Sequence, residues 1–190
     1  MSPFEYLLAL VSILIGLAVA DLSISLHHLL RARHRIRWDW LSLAAALLVL
    51  LLILNFWWAF YRIGQVEVWT RYWAFLVLSA SLITMLLLAS AALPDHVPDA
   101  GLDLAAYYIE NQRYFWILFT VFTALATAVS LVAVSGRVSV GRWAISMIPN
   151  VVLIGFFLSL AFVRNCRYHA ILIPVLLALF GLQWSALRLT

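Results

Sequence analysis

Asp21, Ser25 and His28 stand at i, i+4 and i+7 near the end of the apolar run VADLSISLHHLL. At about 100° per residue a carboxylate, a hydroxyl and an imidazole therefore share one helical face. Within an apolar run that trio suits an ion or proton pathway, because an ionisable side chain in hydrocarbon is costly and marks a functional site by default. For Asp21 a structural ion pair with Arg164 or Arg167 stands beside the functional reading. Asn55, Asn150 and Gln183 are the amides deep in apolar stretches. Hydrogen bonding between helices is their default role, and a solute pathway through them is the alternative. His27, His28 and His169 would permit a metal or a b-type haem. No histidine pair has the in-span spacing of haem-bearing bundles, so neither cofactor is expected. Phosphate loops, HExxH and GxSxG are absent, and nothing supports an enzyme.

Composition sets the elements that must hold these residues. Of 190 residues, 66% are hydrophobic and 11% charged, against about half and a quarter in soluble domains. The expected fold is an all-α integral membrane protein, one transmembrane domain over 1–190. The basic residues are all arginine and sit singly or in one short cluster beside apolar segments, where anionic lipid headgroups are the natural partner. Nucleic acid is excluded on that ground, despite a net charge of +4. Cys166, the single cysteine, excludes an internal disulfide.

A crossing needs about 20 mainly apolar residues, and six transmembrane helices are expected, over 4–30, 38–61, 70–93, 114–134, 143–163 and 168–187. The first begins with Glu5 in place of a basic region and is too long for a cleaved signal peptide. The connection 94–113 opens with Pro94, Pro98 and Gly101, then spaces Leu102, Ala105, Ala106 and Ile109 as a short interfacial helix would. Tyr107, Tyr108, Tyr114 and Trp116 suit the headgroup level, as do Trp38, Trp40, Trp57, Trp58, Trp69 and Trp73. Pro149 and Pro174 interrupt the last two spans and are read as bends.

Orientation rests on RARHRIR, whose Arg31, Arg33, Arg35 and Arg37 anchor the first loop on the cytoplasmic side and leave the N-terminus outside. In that topology all the histidines are cytoplasmic. Ser12, Gly16 and Ala20 form a small-residue ladder on another face of the first helix, expected to pack against helices rather than lipid. Two inverted three-helix repeats, 1–93 and 107–190, are suggested by the recurring order RW, AFxR, RYxAxL; chance is the competing reading, since such pairs are common at span ends.

The opening Ser2-Pro3-Phe4-Glu5-Tyr6-Leu7, then Ser12-Ile13, Gly16-Leu17, Phe56-Trp57-Trp58-Ala59, Tyr107-Tyr108 and Arg113-Tyr114-Phe115 resemble a family of small, uncharacterised bacterial polytopic membrane proteins of about six helices. The resemblance implies a bacterial inner (plasma) membrane and no particular chemistry. Two functions fit the residues: an oligomeric transporter or channel for a small solute or ion with a pathway near Asp21, or a non-catalytic subunit or effector that docks another membrane protein. Besides the lipid bilayer, the expected partner is a second copy or another membrane protein.

Overall fold

The computed structural model describes residues 3–63, 71–134 and 140–185; the side chain of Gln183 and those at several helix rims lie outside the described residues. Six helices occur among them: α1 (Pro3–Arg31), α2 (Trp40–Ile63), α3 (Tyr72–Ala92), α4 (Leu104–Val134), α5 (Val140–Phe162) and α6 (Cys166–Ser185). Four stretches, Glu5–Arg31, Trp40–Tyr61, Tyr72–Ala92 and Leu104–Leu131, are long and apolar enough to cross a membrane. The apolar parts of α5 and α6, Met147–Phe162 and Cys166–Leu182, are shorter.

The expected interfacial helix before the fourth span does not form as a separate piece. Ala105, Ala106 and Ile109 lie in the opening turns of α4, 31 residues without a break, and Leu102 lies just before it. At 1.5 Å per residue α4 is about 46 Å long, well beyond a hydrocarbon core of about 30 Å. Pro149 and Pro174 lie inside α5 and α6, which run on through them.

α1 packs on α2 and α3, α3 also on α4, α4 on α5, and α6 chiefly on α2. The face of α1 turned inward is Leu7, Val11, Ala18, Leu22 and Leu29, whereas Ser12, Gly16 and Ala20 are exposed. The small-residue ladder is therefore not the face that packs within this chain, and a Cβ added at Gly16 would meet nothing within 4 Å. In lipid no hydrophobic force draws one apolar or small face inward over another, so shape complementarity decides, and the larger aliphatic face fits α2 and α3. Ser23 can face outward because its Oγ donates to the Val19 carbonyl 2.7 Å away.

Trp38, Trp40, Trp57 and Trp73 are exposed near helix ends, as a belt requires. Trp116 is not part of it. It is fully buried, and with Phe119 and Phe157 it forms an aromatic stack between α4 and α5, ring centres 4.4 Å apart for Phe119 and Phe157. Tyr108 is also buried.

Two strand pieces, β1 (Ile36–Arg37) and β2 (Leu102–Asp103), pair in parallel, Ile36 with Leu102 and Arg37 with Asp103. They fasten the α1–α2 connection to the α3–α4 connection, so both lie at one end of the bundle. Arg35 pairs with Asp99 at 3.1 Å and Arg37 with Asp103 at 3.2 Å. The turn between them depends on Gly101, with φ at +92° and the Arg35 carbonyl oxygen 2.8 Å from where a Cβ would sit. Asp39 caps α2 by accepting from the Ser42 amide, and Asp103 caps α4 by accepting from those of Ala105 and Ala106.

Candidate functional site

Asp21, Ser25 and His28 do share a face of α1, and that face meets the end of α3 and the connection after it. Ser90 Oγ donates a short hydrogen bond to Asp21 Oδ2. Ser25, 3% exposed, donates to Asp95 Oδ1 at 3.0 Å. His28 Nδ1 lies 3.0 Å from the Asp95 carbonyl oxygen, which only accepts, so that nitrogen carries a proton. The trio is thus stitched to Ser90 and Asp95 rather than into an Asp21–His28 chain. Asp21 forms no ion pair with Arg164 or Arg167 among the described residues. Its partner is a neutral hydroxyl on a packed helix seam.

A second polar cluster lies where α4, α5 and α6 meet at the same end. Gln112, buried, donates through Nε2 to the carbonyls of Leu160 at 2.8 Å and Val163 at 2.9 Å, satisfying the end of α5. His169, 1% exposed, has Nε2 2.8 Å from the Val163 carbonyl and Nδ1 2.6 Å from the Tyr108 hydroxyl. The carbonyl can only accept, so Nε2 donates and Nδ1 accepts from Tyr108. Tyr108 in turn accepts from Trp116 Nε1 at 2.9 Å. The chain runs Trp116 to Tyr108 to His169 to Val163 with every member satisfied. Both ring nitrogens of His169 are thereby engaged within the bundle. Among the described residues no group of three or more His, Cys, Asp or Glu is placed to hold a metal ion.

The third place holds the amides. Asn55 of α2 and Asn150 of α5 line one cavity of about 280 Å³, bounded also by Thr123, Thr127 and Ser130 of α4 and by Phe56, Phe157 and Phe180. Thr123, Thr127 and Ser130 donate to the carbonyls four residues back, at 2.8, 2.7 and 3.1 Å. Their protons are thereby engaged and their oxygens remain as acceptors. Neither amide has a hydrogen-bond partner among the described residues. Among the described residues no charged side chain lines the cavity.

The expected site residues thus divide. Asn55 and Asn150 come together, as do Asp21, Ser25 and His28, but the two sets sit in different parts of the fold. Asn55 is about 22 Å along α2 from the connected end, and Asn150 about 18 Å along α5 from that end, whereas His28 is within one turn of it. Arg35 and Arg37, read as anchors to lipid, are engaged with Asp99 and Asp103. Sequence reasoning passed over the hydroxyl row of α4, whose i, i+4, i+7 spacing was the available signal, and over Ser90, Asp95 and Gln112, which carry none. Comparison of the chain with protein-family profiles, with curated proteins and with solved structures finds no match.

Proposed function

We propose that the protein binds a small uncharged solute in the cavity between α2, α4, α5 and α6 and passes it across a bacterial inner membrane. On this reading all six helices cross the bilayer, with the N-terminus outside. One observation carries the proposal: Asn55 and Asn150, unpartnered amides from two helices, face a common cavity opposite a row of hydroxyl oxygens. An unpaired amide in an apolar setting costs free energy, and a ligand that supplies its hydrogen bonds recovers it. At about 280 Å³ the cavity is near the lower limit of ligand pockets, and the described part of its lining carries no charge, which favours neutral molecules. The pathway is thereby moved from Asp21, which the α1–α3 seam occupies, to the amides. Duplication of 1–93 and 107–190 adds no support, because α3 packs on α1 while α6 packs on α2.

The test is solute entry into proteoliposomes followed by light scattering, with urea, glycerol and erythritol as probes. Entry faster than in protein-free vesicles is expected for at least one, abolished by Asn55→Leu with Asn150→Leu and retained by Asp21→Asn. Equal rates with and without protein for all three, or a double variant as fast as the parent, would refute it.

A second reading, a membrane subunit that associates with its own copy or another membrane protein, has its own observation. Ser12, Gly16 and Ala20 lie exposed on α1, where close helix approach is open to a neighbour. Ser12→Cys in a Cys166→Ser chain should then crosslink into dimers in the membrane. A monomer band alone would count against self-association through this face.

A further inference from the structure

The last turn of α1, the short 3-10 turn Arg33–Arg35 after it and the beginning of the α3–α4 connection enclose a hollow of about 480 Å³. His28, Arg31, His34, Arg35, His96 and Asp95 line it. Arg31 makes no ion pair among the described residues, and Arg35 is held by Asp99 through one nitrogen, with both side chains exposed. His28 uses Nδ1–H on the Asp95 carbonyl, so its Nε2 is an acceptor in the neutral ring and donates to an anion only as the imidazolium. His34 Nε2 accepts from Arg33 Nε at 3.4 Å, which leaves Nδ1–H as a donor. A cation here would meet two guanidinium groups. An anion would meet two guanidinium groups and up to three imidazoles against one carboxylate, and Asp95 already directs Oδ1 to Ser25.

The donors come from three chain segments and so approach from different directions, which suits the tetrahedral oxygens of phosphate better than a flat carboxylate. The level also fits. α1 has 29 residues, about 44 Å, so its last turn lies beyond a hydrocarbon core of about 30 Å, where lipid phosphates sit. We infer that this hollow is a phosphate-binding site, made from the end of α1 and the start of the α3–α4 connection. The phosphate can arrive on a lipid headgroup or free in solution, and the site is independent of the cavity proposed for solute passage.

The test uses the full chain in neutral detergent, titrated separately with inorganic phosphate and with dihexanoyl phosphatidic acid, and reads the thermal unfolding midpoint against ligand concentration. Saturable stabilisation is expected. Arg31→Gln should weaken the apparent affinity about three- to fivefold, the effect of one exposed charge pair. Asp95→Asn, which keeps the oxygen that Ser25 reaches and the carbonyl that His28 reaches, should tighten it by a similar factor. Stabilisation by both ligands supports a site satisfied by phosphate alone; stabilisation by the lipid alone supports one that takes lipid headgroups. No saturable stabilisation by either, or both variants binding as the parent does, overturns the assignment. Asn55→Leu with Asn150→Leu should leave this binding unchanged, which separates its outcome from that of the cavity.

Discussion

Replacing Tyr108 by phenylalanine removes one oxygen from the middle of a closed hydrogen-bond chain. Trp116 Nε1–H and His169 Nδ1 both lose their partner, and Trp116 and His169 are 0% and 1% exposed, so neither finds water. The phenyl ring keeps its edge-on contact with the imidazole, at 5.6 Å between centres, so packing changes little. An ordinary interhelical hydrogen bond in a membrane is worth only about 0.6 kcal/mol on average. A stranded buried group costs about 1–3 kcal/mol, and here two are stranded at once. A loss of about 2–4 kcal/mol is therefore expected, with partial relaxation of the two rings. The assay is unfolding in mixed micelles of rising dodecyl sulfate content, read by circular dichroism. Tyr107→Phe is the control; its half-buried hydroxyl makes no hydrogen bond among the described residues, and a change below about 0.5 kcal/mol is expected. His169→Phe added to Tyr108→Phe should cost less than the sum of the two single changes, since they share one network. A Tyr108→Phe protein within about 0.5 kcal/mol of the parent would show that the chain is not a stabilising element.

Three further outcomes are expected. Gly101→Ala should lower stability by about 2 kcal/mol, because a φ of +92° strains any side chain and the Arg35 carbonyl blocks the added carbon at 2.8 Å; hydrogen exchange at Ile36 and Leu102 should quicken, and unchanged exchange there would contradict the role given to the turn. Asp103→Ala should cost about 1 kcal/mol by uncapping α4, more than Arg37→Ala at about 0.5 kcal/mol or less, since the Arg37 side chain is 86% exposed; equal losses in paired melting curves would reverse that ranking. Gly16→Leu should leave the melting of the isolated chain within about 0.5 kcal/mol, because nothing lies within 4 Å of the added carbon. Under the self-association reading the same change should abolish the Ser12 crosslink, and a crosslink that persists would place the interface elsewhere.

Helices in this chain are legible from apolar length, and the structure places each within a few residues of expectation except at α4, where Leu102 to Ile109 had the periodicity of a helix but nothing to say that it would join the next one. The shared face of Asp21, Ser25 and His28 was legible because helical geometry fixes it. Their partners were not, since Ser90 and Asp95 are about seventy residues away in the chain. Which face of α1 turns inward within the chain was not legible for a physical reason: in lipid, hydrophobicity no longer separates buried from exposed, and a row of small residues reads alike whether it meets a helix of the same chain or of a neighbour. Trp116 was assigned to the membrane surface by residue type, whereas its N–H is satisfied inside the bundle by Tyr108.

The wall of the Asn55–Asn150 cavity draws on α2 from the first half of the chain and on α4, α5 and α6 from the second. During synthesis α2 enters the membrane long before α6, its main late partner, exists. Until Phe180 arrives, Asn55 and the α4 hydroxyls border an open groove, so the chamber is completed only once α6 is in place. A chain ending before Cys166 would keep every residue of the Asp21–Ser90 seam and of the β1–β2 fastening, yet would lack the Phe180 wall of the cavity.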